Sequence, residues 1–173
     1  MKGLLGNMES FQEAMKEYKN QMQLGVISKA YRGIMDYLLG LKAYLKAEYP
    51  AYNVSGSMYF GYMDMTYFSF FPDSLKQRNL KAGIVFIHET CQFEVWLFGV
   101  NKQVQNQYWK IIKDSGWSQY KLIKTTKGED AILTHVLIEN PNFDDLESVT
   151  NQIKSGTLQF ISDVENFFSK LHL

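Results

Sequence analysis

Residues 57–100 read SMYFGYMDMTYFSFFP, then DSLKQRN, then LKAGIVFIHETCQFEVWLFGV. Two blocks dense in aromatic and β-branched side chains flank a short polar loop, and such side chains pack well on a pleated sheet. The first block predicts strands over 57–62 and 64–71, with Gly61 as a breaker and Pro72-Asp73 as the stop. In the second strand Thr66, Phe68 and Phe70 point one way, and Met65, Tyr67, Ser69 and Phe71 the other. The run AGIVFI, within a strand near 80–88, has no alternation, which predicts an interior strand covered on both faces. His88-Glu89-Thr90-Cys91 reads as a hairpin turn. The strand near 92–99 alternates Phe93, Val95 and Leu97 against Gln92, Glu94, Trp96 and Phe98.

Helical segments lie on either side of this block. Ser10-Phe11-Gln12-Glu13 has capping-box form, so a helix starts near residue 10. Its apolar face is Phe11, Met15, Tyr18 and Met22, and Gly25 supplies its left-handed end. Ser28 is a candidate cap for a second helix, with the stripe Ile27, Tyr31, Ile34, Leu38, Leu41 and Leu45 and its stop at Pro50. The pair reads as a helical hairpin. Asn101 caps a third helix to about Asp114, closed by Gly116. Strands follow near 119–125 and 130–139. A last helix begins at Asp144 or Asp145, whose carboxylates suit a helix N-terminus, with Gly156 a candidate bend. The order ααβββ(β)αββα predicts an α+β fold, a mostly antiparallel sheet flanked by helices. Residues 1–9 read as a flexible N-terminus and 10–173 as a single domain.

A chain of 173 residues suits one domain and can bury roughly 70% of its unfolded surface. Eighteen basic and eighteen acidic residues cancel. That balance argues against nucleic acid and against an anionic membrane surface as partners. No apolar stretch approaches the roughly 20 residues of a membrane span. Cys91 is the single cysteine, which excludes an intrachain disulfide and fits a reducing cytoplasm. The composition is compatible with a homo-oligomer.

GSMYFGYMDMTYFSFFP, LKAGIVFIHE, FEVWLFGVNKQVQNQYW and the later NPNFDD resemble a family of short uncharacterised bacterial proteins, catalogued only as a domain of unknown function. The likeness spans nearly the whole chain from about residue 10. It implies a bacterial, cytoplasmic protein and carries no catalytic residues. A far weaker likeness is to the restriction-endonuclease-like core.

Five residues are candidates for a binding site: Asp64, Tyr62, His88, Glu94 and Trp96. Asp64 starts an aromatic strand; it is either a turn residue bonded to nearby amides or a functional acid. Glu94 shares a face with Trp96 and Phe98 in an apolar strand. Such a carboxylate is paired, hydrogen-bonded, or at a wet edge or cleft. At least half burial and a charge-assisted hydrogen bond, in or beside a pocket with Trp96, are expected, with Lys81, Lys102, Arg32 and Arg78 as candidate cations. His88, His135, His172 and Cys91 have no metal-ligand spacing, so neither metal nor cofactor is predicted. A nuclease would use Asp64 and Glu94 to hold Mg²⁺, with a lysine two residues after the glutamate. Trp96 stands there instead. The first reading is therefore a non-enzymatic module for a partner protein or small ligand. The alternative is a degenerate, metal-dependent nuclease-like domain with Asp64 and Glu94 as its catalytic candidates.

Overall fold

The computed structural model describes residues 10–171. The expected N-terminal segment 1–9 and His172 lie outside the described residues. By compactness the chain divides into two units, Met1–Leu41 and Lys42–Leu173. In the first, α1 (Phe11–Leu24) begins with the capping box: the Ser10 hydroxyl accepts from the Glu13 amide while the Glu13 carboxylate accepts from the Ser10 amide. Gly25, at φ 75°, ends it, and α2 (Val26–Glu48) follows at once, its last residues from Lys42 belonging to the second unit. Ser28 is therefore inside α2 and caps nothing. Instead its hydroxyl bonds to the Met22 sulfur. α1 buries none of its residues, and Phe11 is 82% exposed. The expected helical hairpin with a buried α1 face is not formed, although the stripe on α2 from Ile34 to Leu45 is buried.

The second unit is built on one antiparallel sheet, so the fold is α+β as expected. Its strands are β1 (Asn53–Val54), β2 (Met65–Phe71), β3 (Leu80–Ile87), β4 (Gln92–Gly99), β5 (Lys121–Leu122) and β6 (Ala131–Ile138), in the order β1-β2-β3-β4-β6-β5. The helices are α3 (Asp73–Gln77), α4 (Lys102–Ser115) and α5 (Leu146–Lys170). α5 packs against β3, β4 and β6, and α4 against β4, β5 and β6. Ile84, Val85 and Phe86 are almost wholly buried, as an interior β3 requires. β3 is covered partly by the sheet's own side chains. Gly83 has no side chain, and a Cβ there would come within 2.8 Å of the Phe98 ring. That ring in turn stacks on Tyr67 at 5.2 Å.

Several local expectations are corrected. No strand spans 57–62: Gly61 and Met63 take positive φ, which breaks the extended chain, and only an isolated bridge joins Tyr59 to Tyr67. The edge strand is β1 instead. The polar segment after Pro72 winds one short helix, α3, before Asn79 turns left-handed at φ 57°. The strand near 119–125 shrinks to two residues, and just before it the side chains of Gln119 and Tyr120 both donate to Asp163 of α5. Gly156 does not break α5, which runs on from Leu146 to Lys170. It is the place where the helix approaches the sheet, since a Cβ there would sit 2.6 Å from Leu137 Cδ2. The caps at Asn101 and Asp145 form as the residue types dictate, each side chain accepting from the amide three residues on.

Candidate functional site

The structure sorts the five sequence candidates into two places. Asp64, Tyr62 and His88 gather where the chain enters β2. Asp64 Oδ1 accepts from the Tyr62 amide at 2.8 Å, and backbone N–H groups of Met65 and Tyr62 hold its carboxyl below the usual carboxylate range. Its carbonyl accepts from the His88 amide. This is a turn aspartate bonded to local backbone, and Tyr62 beside it is 93% exposed. His88 Nε2 lies 2.9 Å from the hydroxyl of Thr66, which donates to the Phe60 carbonyl. The hydroxyl proton is thereby committed, so His88 bears its proton on Nε2. Burial pushes the imidazole pKa down, and the Asp64 charge opposes that in part. Thr66 is fully buried, so the histidine pins the 57–64 loop to the hairpin turn.

Glu94 and Trp96 form the second place. Alternation puts both on one face of β4, and the register sets Glu94 beside Val136 and Trp96 beside Thr134 on β6, with Lys121 of β5 beyond Thr134. Paired residues share a face. Glu94 is more than half buried. Its Oε2 accepts from the Trp96 indole N–H at 2.5 Å and its Oε1 from the Gln92 amide at 2.5 Å. Neither donor is charged. The expected cations are engaged elsewhere or unpaired with Glu94: Lys102 bridges to Asp130, and Arg78 lies over the Phe168 ring. The rings of Tyr59, Tyr67, Phe98 and Trp96 run across this face with neighbouring centroids 5.1, 5.2 and 5.8 Å apart.

A cleft of about 560 Å³ opens at Glu94 and Trp96. It exists because β5 is short: beyond Thr134 its pairing with β6 stops. The segment after β5 adds Ile123, Lys124 and Glu129 to the wall. Tyr120 and His135 close the other side, and the Tyr120 ring packs on His135 and on Phe160 of α5. Tyr120 donates to Asp163 Oδ2 at 2.6 Å; burial, with that carboxylate, drives its pKa far up, so it stays a neutral phenol. A broader depression of about 620 Å³ runs along the first turns of α5. It is lined by that helix alone and lacks convergent walls, so the Glu94 cleft is the candidate site.

Asp64 and Glu94 are not brought together. In register, Glu94 is opposite Val85 and Val85 opposite Tyr67, so Asp64 is two strands over and three residues along. That is roughly 14 Å between backbones by strand geometry. Among the described residues no group of three His, Cys, Asp or Glu could hold a metal ion. Also among them, no helix is long and apolar enough to cross a membrane. Sequence reasoning missed Lys121, Lys124, Glu129 and Tyr120. Lys121-Leu122-Ile123-Lys124 does not alternate, and only the β5–β6 register puts Lys121 on the Trp96 face, with Thr134 between them.

No curated protein and no solved structure matches the chain. A protein-family model does, over residues 11–168, under the description Domain of unknown function (DUF7000).

Proposed function

The chain belongs to that family of unknown function, and from this premise we propose that it is a cytoplasmic, non-enzymatic module that binds a small ligand in the cleft at the β5–β6 edge. One observation carries the reading: a half-buried carboxylate and an indole, hydrogen-bonded to each other, face a cleft that the shortness of β5 leaves open. Ligand sites combine apolar and aromatic walls with a few convergent polar groups, and their volumes run roughly 300–1,000 Å³. The separation of Asp64 from Glu94 removes the geometric support for a two-carboxylate metal centre.

A thermal-shift screen of soluble metabolites tests the proposal. A ligand that binds only the folded state raises the midpoint in proportion to RT ln(1 + [L]/Kd). The expected result is a ligand that stabilises the parent protein but not Trp96→Ala. Equal stabilisation of both would move the site elsewhere.

A further inference from the structure

We propose that the cleft takes a zwitterion no larger than a dipeptide, its ammonium at Glu94, its carboxylate at Lys121 and Lys124, and its apolar body on Trp96 and Ile123. This rests on the cleft being a ligand site. The cleft carries charges of both signs that do not neutralise each other. Glu94 and Glu129 line it with Lys121 and Lys124, yet the ion pairs among the described residues are Lys102–Asp130 and Lys154–Glu48. Glu94 is held on neutral donors, Gln92 and Trp96, which order the carboxylate without cancelling its charge. Lys121 sits two strands over and two residues along, roughly 12 Å away between backbones.

A ligand with one charge is poorly suited to these walls. A cation would meet Lys121 and Lys124, and an anion would meet Glu94 and Glu129; like-charge contacts of this kind reject a ligand. A dipolar ligand sets each of its ends against the opposite wall. The Glu94 carboxylate oxygens still have lone pairs free beyond the two bonds they accept, so an ammonium can add to the existing contacts without displacing them. Trp96 and Ile123 give an apolar surface between the charged ends, which favours an apolar side group over a polar one.

The test is ¹⁵N–¹H NMR of the full chain, following the Trp96 indole resonance, assigned by its loss in Trp96→Phe. The probes are L-phenylalanine and L-alanyl-L-phenylalanine, with phenylalaninamide lacking the carboxylate and N-acetylphenylalanine lacking the ammonium. The expected result is a shifted indole resonance and binding of a zwitterion at least tenfold tighter than either blocked form. Glu94→Gln should then abolish the preference over N-acetylphenylalanine, and Lys121→Ala with Lys124→Ala the preference over the amide. A blocked form that binds as tightly as the zwitterion overturns the inference but leaves a ligand cleft. No shift with any probe also overturns it. If the metabolite screen is silent as well, the cleft reading falls with it.

Discussion

Glu94 accepts from a side-chain amide and an indole rather than from a cation, and this sets what its removal costs. Breaking a buried ion pair costs roughly 3–5 kcal/mol, because the abandoned partner remains desolvated. Glu94 leaves no charged partner behind, and its surroundings are part wet. Glu94→Gln should therefore cost about 1 kcal/mol in denaturant unfolding, the range of a single hydrogen bond; a loss above about 3 kcal/mol would reveal a buried pair. His88 has a different signature. Its folded pKa lies below the unfolded value of 6.5, so the unfolded chain binds more protons as pH falls. The stability that neutral His88 contributes is fully present above 6.5 and is lost as pH drops from there through the folded pKa. A midpoint measured from pH 8 to 5 should fall less in His88→Gln than in the parent. That Glu94 and Trp96 share a face was legible from alternation; that the indole rather than a cation bonds the carboxylate was not. Their neighbours Lys121 and Lys124 were not, because two residues of β5 leave almost no periodic signal.

At the scale of elements, β2, β3, β4, α4, β6 and α5 were legible within a residue or two, because each carries a strong period, a cap or a breaker. The failures came where backbone geometry overrides composition. SMYFGY is aromatic enough for a strand, but left-handed residues at Gly61 and Met63 fold it into a loop, and periodicity does not report φ. The α1 face shows the opposite limit: an amphipathic period says which side is apolar, not that anything covers it. Two expectations follow. At the β4–α4 junction, a Cβ on Gly99 would lie 2.6 Å from the Gln105 backbone nitrogen. Backbone cannot swing aside as a side chain can, so Gly99→Ala should cost about 1–3 kcal/mol, measurable by urea unfolding. Conversely, α1 buries none of its residues, so a chain starting at Gly25 should unfold with a midpoint close to that of the full chain.

For the whole molecule, sheet order decides where resistance to opening is concentrated. β3 and β4 are the two central strands and hold the wholly buried Leu80, Ala82, Ile84, Val85, Phe93, Val95 and Leu97, whereas β1 and β5 are two-residue edges. Amide hydrogen exchange should be slowest in β3 and β4, and fast in β5 and the loop after it, since local opening follows burial and pairing; equal protection of β5 and β3 would contradict this. The single cysteine gives the same sheet a mechanical meaning. Cys91 is exposed at the tip of the β3–β4 hairpin, while Asp130 lies exposed at the opposite end of the ladder, just before β6. A tether drawn between a thiol at 91 and an anchor engineered at 130 pulls β4 and β6 past each other along their length. The inter-strand bonds run across that direction, so they bear the load together in shear. An anchor near Lys121 would instead peel β5 away one bond at a time.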